Sequence, residues 1–209
     1  KKISNHIAKK VADRLDELFR NERDLFESKW DSLKVFVQYG MLSDEKFYDR
    51  AVKFDLLTDV AGKHFTLEEY RTLTESEQTD KDGTLIWLYA SDRDAQYAAI
   101  ARAESKGYSI LLMDGPLDVH AVSQLEQKLE KTRFVRVDSD TIDKLIAKSE
   151  VKAVELSEDE QSALRTIFSA RLPKEEKRNY SVSLEALGAD GDAVQVTQGE
   201  FMRRMQEMA

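Results

Sequence analysis

The sequence predicts an α/β protein in three parts. A helical connector covers residues 1–57, a small three-layer α/β/α unit with a short parallel sheet covers 58–148, and the α+β start of a further domain covers 149–209. Three observations predict this. Apolar residues recur at helical spacing through the first part. Short apolar runs alternate with amphipathic stretches in the second. The last part mixes a capped helix, alternating stretches and a methionine-bearing helix.

In the first part, Ile3, Ile7, Val11, Leu15 and Leu18 share one face of a helix, with Lys, Asp and Arg between them. Leu25, Phe26, Trp30, Leu33, Phe36 and Val37 continue the pattern to Tyr39, and Gly40 is expected to break it. Ser43 is the expected N-cap of the next helix, which turns Phe47, Ala51 and Phe54 inward. Leu57 to Phe65, with Gly62, is expected to be a loop.

The second part opens on a capping box, Thr66 with Glu69 three residues on. A polar turn ends at Gly83. "TLIWLYA" is a continuous apolar run that suits a strand buried on both faces. The next helix is expected to start at a Ser91 cap and stop at Gly107. "YSILLMDG" is a second strand, "PLDVHAVSQLEQKLE" a helix with Pro116 near its first turn, and "RFVRVDSD" a third strand. Strands separated by helices imply parallel pairing through right-handed crossovers.

In the third part, residues 147–156 read as a charged linker. Ser157 and Glu160 form a second capping box, and Leu164, Ile167, Phe168 and Leu172 make that helix's face. Pro173 and "KEEKR" close it. "NYSVSLEAL" and "AVQVT" read as short strands around the turn "GADGD". The chain then ends in "GEFMRRMQEMA", which as a helix gathers Phe201, Met202, Met205 and Met208 on one face. Such a stripe is most often core. Little chain remains here to cover it, and burying each side chain is worth roughly 1.5–3 kcal/mol, so a bare face would seek a partner. Methionine adapts to irregular apolar surfaces. The chain opens on Lys1 inside one helical pattern and stops inside another, so we expect a piece excised from a longer chain.

Composition narrows function. There are no cysteines, which excludes disulfides and thiolate metal sites and suits a reducing, cytoplasmic compartment. The net charge of −8 disfavours general nucleic-acid binding. No apolar run approaches the roughly 18 residues of a membrane helix, and no signal peptide opens the chain. His6, His64 and His120 lack metal-ligand spacing; His6 falls on the polar side of the first helix and His64 in a loop. No GxGxxG, GxxxxGK[ST] or GxSxG motif is present, though sequence order alone leaves a Ser/His/Asp triad open. Asp92 and Asp114 fall at the ends of expected strands, where a small nucleotide-binding enzyme would place a phosphate or metal site. The plainer reading makes Asp92 a helix cap and Asp114 part of the turn before Pro116.

"QTDKDGTLIWLYASD", "KGYSILLMDGPLDVH", "LEQKLEKTRFVRVDSDTIDKLI" and "EFMRRMQEM" together resemble the ninety-kilodalton heat-shock chaperone family, nearest its bacterial HtpG form. The resemblance runs in order through essentially the whole chain. It implies the later part of a middle domain, with residues 1–57 as its helical connector and 58–148 as its small α/β/α subdomain. Residues 149–209 would be the first part of a C-terminal dimerisation domain. The family's full-length members use ATP and magnesium and act as homodimers. Here the ATP pocket, the middle-domain arginine that reaches the nucleotide and the final dimer helices would be missing. The resemblance therefore implies a monomeric fragment without ATPase activity, cofactor or metal, and with no catalytic residue. It also implies client binding of partly unfolded proteins by Phe201, Met202, Met205 and Met208. A second client-contacting patch would lie in "LDVHAV", at His120. Some bacterial relatives carry an acid and a tryptophan there, where this chain has Val119 and His120. Two other roles compete with the chaperone segment: the nucleotide-binding enzyme, and a dimerisation scaffold built on the methionine helix.

Overall fold

The computed structural model describes residues 2–148, 154–173, 180–186 and 193–199, with side chains described from His6 onward. The chain divides into two compact units, Lys1–Lys148 with Val196–Ala209, and Ser149–Gln195. Among the described residues, no helix is long and apolar enough to cross a membrane.

The first unit begins with four helices, α1 (Lys2–Asn21), α2 (Arg23–Ser28), α3 (Trp30–Ser43) and α4 (Glu45–Ala51). Their inward faces meet in an aromatic core. Phe26 lies 5.5 Å from Phe19, 5.7 Å from Trp30 and 6.0 Å from Phe54, centroid to centroid. Phe36 departs from the pattern: it is 74% exposed, while its neighbour Val37 is buried. Gly40 does not break α3 but lies inside it, because a Cβ there would come within 2.6 Å of the Phe47 ring. The glycine answers a packing need. The cap of α4 is Asp44 rather than Ser43; its carboxylate accepts from the amides of Lys46 and Phe47.

The expected loop over 57–65 holds an antiparallel hairpin instead, β1 (Leu56–Thr58) with β2 (His64–Thr66). Asp59 accepts the amides of Ala61 and Lys63, and Gly62 adopts a φ of +84°, the left-handed region that glycine enters without strain. His64 is therefore on a strand, its Nδ1 3.0 Å from Thr58 Oγ1. α5 (Leu67–Gln78) starts with the capping box expected from Thr66 and Glu69. Arg23 of α2 reaches the same Glu69 with two bonds of 2.6 and 2.7 Å.

β3 (Leu85–Ala90) is the middle strand of a parallel sheet in the order β4–β3–β5, with β4 spanning Ile110–Leu112 and β5 Thr132–Arg136. Every β3 side chain is buried. Leu85, Trp87 and Tyr89 point to one face, packed by α5 and α7 (Asp118–Lys128). Ile86, Leu88 and Ala90 point to the other, packed by α6 (Tyr97–Ser105) and α8 (Ile142–Leu145). This alternation on a doubly covered strand is why its sequence is apolar throughout. Trp87 Nε1 donates to Thr74 Oγ1 at 2.9 Å, so the buried indole is satisfied. The helix expected from Ser91 begins only at Tyr97. Asp92 takes the amides of Asp94 and Ala95, while Gln96 Oε1 takes those of Ser91 and Asp92. These local bonds supply a turn in place of the first helical turn.

In the second unit, α9 (Glu158–Ser169) carries the expected capping box at Ser157 and Glu160. None of its residues is buried; Ile167 is 60% exposed. The strands expected near Tyr180 and Val194 do not form in the described stretches 180–186 and 193–199. Alternation needs a partner ladder to become a strand, and none is present among the described residues. "KEEKR" and the turn "GADGD" lie outside them.

Candidate functional site

β3 and β4 end side by side, and the residues that follow them meet the first turns of α7. Together they enclose a cleft of about 260 Å³. Ser91, Met113, Asp114 and Gly115 come from the strand ends, Asp118, Val119 and Val122 from α7, and Tyr89 from within β3. A parallel sheet places ligand sites at this end because the strands stop there and the loops diverge.

Asp118 shapes the cleft. It is 1% exposed, yet its carboxylate accepts from the Gly115 amide at 2.8 Å, Lys34 Nζ at 2.8 Å and Gln38 Nε2 at 2.7 Å. The first bond holds the turn that walls the cleft, and a Cβ on Gly115 would lie 3.0 Å from Asp118 Oδ2. The other two tie α7 to α3. Farther along the same seam, Gln124 Nε2 donates to the Met41 carbonyl at 2.9 Å. Lys128 pairs with Glu45, and its Nζ sits 5.1 Å over the Tyr48 ring. Asp55 is buried nearby; burial pushes its carboxyl up to about 7, the Asp118 charge pushes the same way, and Lys34 opposes both.

Sequence reading missed Lys34, Gln38, Asp55 and Asp118. The available signal was Lys34 and Gln38, four residues apart on the same side of α3 as Trp30, Val37 and Met41. A polar pair on a core-facing side asks for a buried partner.

The residues singled out from sequence fare differently. His120 is exposed on α7, next to Val119, which lines the cleft. Asp114 is exposed and also lines it. The turn before α7 is held by Asp118, which accepts the Gly115 amide. Asp92 is exposed and serves as a turn former through its bonds to Asp94 and Ala95. Phe201, Met202, Met205 and Met208 lie outside the described residues.

The cleft does not fit ATP. Two carboxylates line it, the Lys34 ammonium is taken by Asp118, and no glycine-rich turn presents successive amides to a phosphate. Nor do the described residues include a group of three or more His, Asp or Glu side chains placed to hold magnesium or another metal ion.

Comparison with known proteins fits this architecture. The family model described as "Hsp90 protein" matches residues 1–196. The chain is 61% identical over its whole length to the chaperone protein HtpG of Porphyromonas gingivalis, and 56% and 54% identical to those of Bacteroides fragilis and Bacteroides thetaiotaomicron. It spans 31% of the length of each of these relatives. Among solved structures, the middle domain of a putative heat shock protein of Plasmodium falciparum superposes with a TM-score of 0.51 at 14% identity, covering 66% of this chain and 57% of that one. That likeness is one of fold. With the family model matching residues 1–196 and the HtpG relatives aligned over the whole of this chain, the chain belongs to the Hsp90 protein family.

Proposed function

We propose that this chain is a segment of an ATP-dependent chaperone that binds partly unfolded client proteins and couples a middle domain to a C-terminal dimerisation domain. In this reading residues 1–57 are the helical connector of the middle domain, 58–148 its small α/β/α subdomain, and 149–209 the first part of the dimer domain. The observation that carries it is the match, over the whole of this chain, to chaperones named HtpG at 54–61% identity. The segment itself has no ATPase activity and is monomeric; the whole protein is a cytoplasmic homodimer that uses ATP and magnesium. Clients meet Phe201, Met202, Met205 and Met208, and a second patch around His120.

The test is an amide chemical-shift titration of the chain with reduced, alkylated α-lactalbumin, repeated with Met205→Glu and Met208→Glu. Shifts clustered at 201–208 that vanish in the variants support the methionine surface. Shifts at 117–122 that survive in them support the second patch. Silence at both removes client binding from this segment.

A further inference from the structure

The cleft at the ends of β3 and β4 sets apolar side chains beside the buried, already paired Asp118 and the exposed Asp114. Val122 is 3% exposed, Met113 is buried and Val119 half-buried. Among the described residues, Lys34 and Arg136 reach residues of the cleft, and both are already matched. Lys34 is held by Asp118, while Arg136 pairs with Asp138 through two nitrogens and touches Ser91 Oγ at 3.2 Å. Asp114 is different: it is exposed, and no ion pair reaches it among the described residues. At about 260 Å³ the cleft falls below the roughly 300–1,000 Å³ of small-molecule sites. Its scale and pattern suit a side chain with an aliphatic stem and a cationic head, since such stems pack on apolar surface while the head stays at the rim. The net charge of −8 favours the same sign of ligand.

We propose that this cleft binds a lysine or arginine side chain of an unfolded protein segment, its stem against Met113, Val119 and Val122 and its head at Asp114. The proposal rests on the chaperone reading and adds the chemistry that the site selects. Segments carrying a basic residue among apolar ones dock here; segments with an acid in that place are repelled by Asp114.

The test uses three ten-residue peptides of identical apolar content, carrying lysine, glutamine or glutamate at one central position. Each is titrated into the 209-residue chain while the amide shifts of Gly115, Val119 and Val122 are followed. The lysine peptide is expected to move these amides and to bind about fivefold more tightly than the glutamine peptide at low salt. The glutamate peptide is expected to leave them in place. Asp114→Asn should erase the lysine advantage, as should added salt at about 0.5 M. Asp114 is exposed, and an unchanged urea midpoint for Asp114→Asn shows that the fold is kept. Equal binding by all three peptides, or a silent cleft with the lysine peptide, overturns the proposal. Alkylated α-lactalbumin separates the two readings. Shifts elsewhere with a silent cleft leave the chaperone reading standing and remove this one. No shifts anywhere with the unfolded protein remove both.

Discussion

Asp118→Ala should be among the most damaging single changes in the first unit. It deletes a 1% exposed carboxylate that serves three donors on two helices and a turn. Left behind are the Lys34 ammonium, 17% exposed, the Gln38 amide and the Gly115 N–H. Breaking a buried ion pair by removing one partner costs about 3–5 kcal/mol, because the surviving charge is stranded. At an m-value of about 2 kcal/mol/M, the urea midpoint should fall by roughly 1.5–2.5 M. Tryptophan fluorescence reads the transition in both places that matter, since Trp30 sits in the helical layer and Trp87 in the sheet, each fully buried. The same logic predicts rescue. Lys34→Met with Asp118→Leu removes both charges and should recover most of the loss, while Lys34→Met alone strands the acid. A loss below about 1 kcal/mol for Asp118→Ala, or a double variant no better than either single one, would refute the stranded-charge argument.

Asp55 should give stability an unusual pH slope. Its folded pKa is raised from 3.8 to about 7, so the folded chain holds this proton more tightly than the unfolded one. That contribution is complete below about pH 4 and is lost as pH rises to about 7, for a total of roughly 4 kcal/mol; Asp55→Asn should flatten the urea midpoint between pH 4.5 and 8. Glu69 slopes the other way. The Arg23 bonds chiefly hold its carboxyl at about 2, so its contribution is present above about pH 4.5 and is lost as pH falls through 2. Glu69→Ala also opens the capping box and should cost about 1 kcal/mol at pH 7 by the same denaturation assay. Gly40→Ala drives a methyl into the Phe47 ring and should cost about 1–3 kcal/mol, with Gly40→Ala/Phe47→Leu less destabilised than the sum of its parts.

The central sheet was the most legible part of the chain. "TLIWLYA" had to be covered on both faces, and the helical patterns on either side of it supplied the covers. Both capping boxes were readable because their chemistry is complete within four residues. Errors arose where a local signal had two causes. Gly40 looked like a stop but makes room for a ring seven residues away. Ser91 looked like a cap, yet the Asp92 and Gln96 side chains captured the amides that a helix would have used. The hairpin around Gly62 was hidden because each strand has only three residues. Asp118 and Lys34 are 84 positions apart, and no periodicity links residues at that separation. The cleft was half visible: Asp114 stood at a strand end, while nothing local in the sequence marked the buried acid Asp118.

The seam along α7 has a mechanical consequence. Its ties are made by Asp118, Gln124 and Lys128, so they are spread over about 15 Å of one rigid rod at 1.5 Å per residue. A pull parallel to the rod loads all three at once, as in shear, and they resist together. A pull at right angles to it, applied at one end, strains them one after another, as a zipper opens. The helical layer and the sheet should therefore move as one body when tugged lengthwise along α7 and come apart under a much smaller sideways load.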